Sequence, residues 1–452
     1  MFHSYKKLFR VSLLVTALFF ASINIAFALN LSPRALPSPI TNTSWVNFKG
    51  SYTNTGYISN MPYEHQPVLQ TRITSLPNEF LNSSAVVSNN ILFYTKAFKS
   101  QMPCSHGKVY AYDLNINKTI WEAGSCENNY IPMFTGTVVS PTVAFDKLLL
   151  IDNQSMSIIA LNSADGSLAW KTSPSNFGYV LTAPVQQANN LLTIVMQSEQ
   201  IKIKLLNPVD GSVRRTINVN SSVGYSFAYH VTVKDNELYF VGSNSDTNNI
   251  KLYKMNLASG QIVWGFPIDS YEANVSIPVL APGGVIIASE RAYYFVNNNG
   301  TQKWAYTLQG EESYTNGISI NKSLTSLSTE RNDEEIATAQ YYFKDAETYG
   351  TKLLGINLNT GKVIYNVNAA EKGTTSGANP INLANMKTLL ITPKGQLKVF
   401  NTQTGVLISE TSNSNFYPLT YTQYAPIAVN GKVIVVTQQD IEIYSVTTLP
   451  TD

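Results

Sequence analysis

Few side chains in this sequence stand where chemistry needs them. Of the four histidines, His3 lies in the apolar N-terminal segment, and His65, His106 and His230 show no spacing suited to one metal ion. The serines sit in no Gly-x-Ser-x-Gly context that would raise a nucleophile above a sheet. Asp113 and Asp146 are possible acids, but each falls at a strand end or turn. Cys104 and Cys126 are the only cysteines, and an isolated pair in an oxidising compartment is more often bridged than free. No Cys-x-x-Cys-His haem site occurs. The sequence therefore offers no catalytic residue, no metal ligand and no cofactor-binding residue, and its pattern lies in the aromatic residues and glycines.

Those two residue types repeat. Ile158 to Asn162 reads as an alternating strand, Ser163-Ala164-Asp165-Gly166 as a tight turn, and Ser167 to Trp170 as a second strand ending in tryptophan. The design returns at Gly260 with Trp264 and at Gly300 with Trp304, the glycine always four residues before the tryptophan. Gly211 with Arg215, Gly361 with Tyr365, and Gly405 with Ser409 keep the glycine and relax the last position. Trp121 ends the first copy, with Asn117 in place of glycine. The anchors lie 40 to 61 residues apart, 48 on average. Upstream of the copies, Ser140-Pro141, Ala183-Pro184, Ile277-Pro278, Asn379-Pro380 and Ala425-Pro426 open further strands. Four short strands per repeat of about 40 to 50 residues mark a propeller blade. The expectation is an all-β, eight-bladed propeller of four-stranded antiparallel blades. The chain ends after the third strand of its eighth blade, so an N-terminal strand must complete it, and Trp45-Val46-Asn47-Phe48 is the segment expected there. The long interval before Tyr365 holds an insertion, Leu324 to Glu335, read as a solvated extension.

Lys6, Lys7 and Arg10, the apolar run from Val11 to Ile25, and Ala26-Phe27-Ala28 form the three-part layout of a secretory signal peptide cut after Ala28. Ser22 and Asn24 interrupt the run, and no lipid-bearing cysteine follows it. The domain plan is a signal peptide over 1–28, a Pro-rich linker over 29–44 and one propeller over 45–449. Without the leader the chain holds 28 basic against 29 acidic residues. Such a neutral chain has no field for nucleic acid or an anionic membrane surface. The expected location is periplasmic or secreted, with no membrane span once the leader is gone, and the protein is expected to be a monomer.

The pattern Ala160-x-Asn162-x-x-Asp165-Gly166-x-x-x-Trp170 resembles the repeat of quinoprotein-like propellers. Trp45 to Phe48 and Asn54-Thr55-Gly56 resemble their N-terminal segment. The resemblance covers nearly all the mature chain and implies two functional classes. Enzymatic members hold a quinone in the central funnel between a tryptophan and an adjacent-cysteine disulfide, with calcium and a catalytic aspartate. Here Trp45, Trp121, Trp170, Trp264 and Trp304 all occupy repeat positions, and no Cys-Cys pair exists. The resemblance thus implies a non-catalytic binding or scaffolding member, akin to the lipoprotein that scaffolds outer-membrane β-barrel assembly, with a protein or glycan partner and no cofactor. The alternative is a dehydrogenase with an atypical cofactor site. Linkers between blades carry aromatics: Tyr130, Phe177 and Tyr179, Tyr225 and Phe227, Tyr271, Tyr314, Phe416 and Tyr417. They form a candidate binding rim or, alternatively, pack between blades. Cys104 and Cys126 are expected to meet on the same rim, since second-to-third turns and blade linkers leave a blade at one end.

Overall fold

The computed structural model describes the chain between residues 57 and 447, apart from 99–106, 125–140, 153–156, 174–176, 221–230 other than Val223, 244–248, 271–274, 309–311, 321–334, 371–378, 393–395, 412–425 and a few single or paired positions. All described residues belong to one unit, Ile40–Asp452.

The repeat folds as its residues dictate. Ser157–Asn162 pairs with Leu168–Lys171 so that Ala160 faces Trp170. Gly166 turns the chain at φ 73°, and the Asp165 carboxylate accepts hydrogen bonds from the Ser167 N–H (2.9 Å) and Oγ (2.6 Å). Each proline read as a strand opener stands just before a first strand: Thr142–Ala144, Val185–Gln187, Val279–Ala281, Ile381–Leu383 and Ile427–Val429. These assemble into eight antiparallel blades, covering residues 79–123, 142–171, 179–218, 232–268, 279–307, 312–370 and 381–410, with 427–445 as the last. The insertion at 324–335 falls between the first two strands of blade 6, Glu312–Ile320 and Ile336–Asp345, and its residues up to 334 lie outside the described ones. Neighbouring blades meet through their first strands, which therefore line the hub.

Hydrophobic burial is concentrated between blades. Val86, Phe93 and Ala111 of blade 1 pack on Val143, Leu148 and Ile159 of blade 2, and corresponding clusters join 2 to 3, 3 to 4, 4 to 5, 5 to 6 and 6 to 7. The largest cluster joins blades 7, 8 and 1. Each seam is also clamped at its periphery. The Trp121 indole donates to the Ser163 carbonyl (3.0 Å), Trp170 to Pro208 (3.0 Å), Trp264 to Asn298 (2.9 Å) and Trp304 to Leu358 (2.9 Å), always in the next blade. The receiving turn must be glycine. A Cβ on Gly166 would stand 2.6 Å from Trp121, and one on Gly211, 2.5 Å from Trp170. Gly300, Gly361 and Gly405 lie likewise under Trp264, Trp304 and Tyr365. Between blades 3 and 4, Arg215 replaces the indole by donating to the Leu257 and Ala258 carbonyls (2.8 Å each), while Ile217 fills the space below Gly260.

An N-terminal strand does complete blade 8, but it is Val68–Thr74, paired antiparallel to Asp440–Ser445. This corrects the expectation for Trp45 to Phe48, which lie outside the described residues. The segment that closes the ring alternates, turning Ile73 onto the largest core cluster and setting Arg72 on Glu442 (2.7 Å). Before it, a strap reaches the strand from the hub. Tyr57–Ile58 pairs in parallel with Asn382 and Leu383 on the first strand of blade 7. Met61 is buried in the largest cluster, the Tyr63 hydroxyl bonds Ser409 Oγ, and the Glu64 and His65 N–H groups donate to the Val446 carbonyl.

At the closure Asp440 is 0% exposed, and neither carboxylate oxygen has a hydrogen bond of good geometry. The Arg72 guanidinium, 4.0 Å away, is committed to Glu442. Burial pushes the Asp440 pKa up, Glu442 adds to this, and Thr74, Arg72 and Lys96 oppose it. An acid whose folded pKa is raised takes up a proton on folding, so stability falls as pH climbs from the free aspartate value of about 3.9 through the raised one. Asp440→Asn should therefore be the more stable protein at pH 8, by about 1 kcal/mol or more. The advantage should shrink as pH falls toward 4. Urea unfolding across that range tests it, and an Asn variant less stable at pH 8 would refute the reading.

Candidate interaction face

Every blade sends its second-to-third turn and its linker to the next blade out at one end, and its other two turns out at the opposite end. Of the candidate rim, Tyr179 and Tyr314 fall among the described residues, in strands that start from the linker end. Tyr179 stands just inside it, paired with Met196, and its side chain is 56% exposed. Two residues earlier Phe177 turns inward. It is buried in the seam between blades 2 and 3 with Trp170, Ile158 and Val195. The Lys204 ammonium lies 4.5 Å from the centre of its ring, and burial, with Lys202 nearby, holds the Lys204 pKa below the usual lysine value. One linker thus holds both placements, an outward tyrosine and an inter-blade phenylalanine. Tyr314 lies in the first strand of blade 6, its backbone paired with Tyr342. Tyr130, Tyr225, Tyr271 and Tyr417 lie outside the described residues, as do Phe227 and Phe416.

Cys104 and Cys126 also lie outside the described residues. The strands that lead to them do not. Val109 pairs with Ala123 in blade 1, so the segments holding the two cysteines leave the blade from adjacent points at the linker end.

The candidate acids serve turns. Asp113 Oδ1 accepts the Asn115 N–H (2.8 Å) after its strand. Asp146 takes a positive φ of 57° in a hairpin of blade 2, and its carbonyl accepts from the Ser163 N–H and Oγ (3.0 Å each). Asp165 and Asp210 have pKa values below the ordinary range because Ser167 and Ser212 hydrogen-bond their carboxylates. No group of three or more His, Cys, Asp or Glu side chains among the described residues could hold a metal ion. The four described tryptophans are all committed to seams.

Sequence reasoning had no signal for two features of the hub. One is the backbone of Tyr57–Ile58 along blade 7. The other is a buried chain of neutral polar groups: Asn382 Nδ2 donates to Ser319 Oγ (2.9 Å) and Thr338 Oγ1 (2.8 Å), and Thr388 donates to Asn382 Oδ1 (2.7 Å). Isolated Ser, Thr and Asn in a strand read as solvent-facing, and only the assembled ring turns them inward.

Among the described residues no helix is long and apolar enough to cross a membrane. No protein of curated function matches the sequence. Solved structures share its fold. The quinohemoprotein alcohol dehydrogenase of Comamonas testosteroni aligns at 11% identity and a TM-score of 0.63, over 91% of this chain and 82% of its own. A europium-containing methanol dehydrogenase aligns at 10% identity and 0.62, over 89% and 98%. BamB from Moraxella catarrhalis aligns at 14% identity and 0.55, over 86% of this chain and 100% of its own. Identities this low carry the fold alone. The sequence itself matches a family model over residues 71–245 and again over 203–448, between them nearly the whole ring. The chain belongs to the family described as outer membrane protein assembly factor BamB.

Proposed function

We propose that the protein is a non-catalytic scaffold of the cell envelope or exterior that holds a protein partner, or a glycan, on the linker face of its ring. The family match over the whole ring carries this reading. Its BamB relatives are named as assembly factors. Two features of the chain support it. The described tryptophans are spent on clamping blades, which leaves none of them to stack on a quinone. Tyr179 offers a flat ring with a hydroxyl at a linker mouth, the chemistry that interface centres favour. Cleavage after Ala28 would deliver the chain to the periplasm or beyond, as a monomer.

The test uses a photo-crosslinking amino acid at Tyr179 in intact envelopes, with Val209, 74% exposed on the opposite face, as the control position. A discrete adduct at Tyr179 and none at Val209 is the expected result. Tyr179→Ala should weaken capture of that partner about tenfold or more, as an interface aromatic does. Its stability should stay within about 0.5 kcal/mol of the parent, as for a surface site. Equal labelling at both positions would contradict the proposal, and so would alcohol-dependent dye reduction after loading with pyrroloquinoline quinone and calcium.

We further propose a Cys104–Cys126 disulfide that ties the two linker-end segments of blade 1. Non-reducing peptide mapping should recover both residues in one linked fragment. Reduction should cost about 3 kcal/mol at most, given a loop of about 20 residues. Two free thiols in the unreduced, denatured protein would rule it out.

A further inference from the structure

The seam between blades 6 and 7 departs from the tryptophan-clamped ones. Among the described residues its apolar cluster is small: Leu353, Tyr365 and Ala369 against Leu390 and Phe400. Its clamp is altered as well. Tyr365 stands over Gly405 where blades 1, 2, 4 and 5 place tryptophan, but a phenol has no N–H to give the neighbouring carbonyl as the indoles of Trp121, Trp170, Trp264 and Trp304 do.

In place of apolar contact the seam gathers neutral polar groups. Along the second strand of blade 6, Ala337, Ala339 and Tyr341 pack toward blade 5, so Thr338 and Gln340 face blade 7. Thr338 is satisfied by Asn382 across the seam. Gln340 is not. Its side chain is 0% exposed, and neither Nε2 nor Oε1 has a hydrogen-bond partner. Two more groups on the same face share that condition, the hydroxyls of Thr351 and Tyr365.

The strand register sets the three around Leu353 on one face of the blade. Gln340 pairs with Leu353, and Thr351 lies two residues from Leu353 on the same face of the third strand. Tyr365 pairs with Gly355, also two residues from Leu353 but on its other side. A Cβ on Gly355 would lie 2.2 Å from Tyr365 Cε1 and 2.5 Å from Cζ, so the ring lies across the third strand with its hydroxyl end directed inward. Thr338 is the partner of Gly355 on the second strand, which carries the tyrosine hydroxyl toward the strand holding Gln340. Burial also pushes the Tyr365 pKa up, so all three groups are neutral.

We propose that the seam between blades 6 and 7 encloses ordered water bound by Gln340, Thr351 and Tyr365. An amide with two N–H donors and a carbonyl, together with two hydroxyls, supplies the two to four polar partners that an internal water needs. A charged ligand would find no counter-charge among these groups, and a larger neutral one could not reach fully buried atoms without parting the blades. The bonds across this seam are then exchangeable ones. Water would then join Asn382 and the apolar layer of Leu353, Leu390 and Phe400 in holding blades 6 and 7 together.

The direct test is a crystal structure of the unaltered protein at a resolution that shows ordered water. Water within hydrogen-bond distance of the Gln340 amide and of at least one of the two hydroxyls is expected. A dry seam, or a Gln340 amide bonded only to protein atoms, would overturn the proposal. Gln340→Leu reads the same question in solution. If water is bound, the leucine strands it, and the melting temperature should fall by a few degrees. If the seam is dry, the same change removes an unpaired buried amide and should raise the melting temperature, which would also overturn the proposal.

Discussion

One contact is repeated around this ring, and the rest of the structure depends on it. At four seams the outermost strand of one blade carries a tryptophan that lies on the glycine turn of the next blade and donates to a carbonyl there. An isolated four-stranded blade would leave both apolar faces in water, and the ring answers this by making each blade the cover of its neighbour. The glycine and the tryptophan are therefore one feature shared by two blades. A side chain at Gly211 would meet the Trp170 ring, and a smaller residue at Trp170 would leave the turn unsupported. Arg215 shows that the requirement is physical rather than a matter of residue type, since a guanidinium reaching two carbonyls serves as well as an indole reaching one.

Such an arrangement needs a closed circle, because an open end would expose one seam. Closure falls to Val68–Thr74, and among the described residues its neighbourhood gathers four buried charged side chains, Glu79, Lys96, Asp440 and Glu442. Glu79 and Lys96 pair at 3.0 Å within blade 1, Arg72 holds Glu442, and the Tyr444 hydroxyl donates to Glu442 at 2.6 Å. Directional bonds of this kind fix the register of a strand that comes from the far end of the sequence. The strap before it ties the hub of blade 7 to the edge of blade 8 through Met61 and Tyr63.

The repeat was legible because its turn is local. Gly166 to Trp170 is a stretch of five residues whose spacing survives any amount of variation elsewhere, and the prolines before each first strand are just as local. The closing strand was legible as a need but not as a segment. Trp45 to Phe48 carries the tryptophan of a fourth strand, whereas Val68–Thr74 has none and is chosen by long-range pairing with Ile441 and Ile443. Linker aromatics are less legible than the repeat. A linker has no periodicity to say which aromatic turns inward, so Phe177 and Tyr179 read alike in sequence and part only in the folded ring. Lys204 and Gln340 were silent for a related reason, since polar residues within strands signal exposure unless the opposing blade is known.

The claim that stability resides in a closed circle of seams is tested most directly by removing the closing strand. A chain beginning at Ser75 keeps seven complete blades and three strands of the eighth. Its unfolding should lose the single cooperative transition of the parent and expose apolar surface that binds a hydrophobic dye. Retention of one cooperative transition at the parent's melting temperature would show that the blades stand without the circle, and would contradict the account.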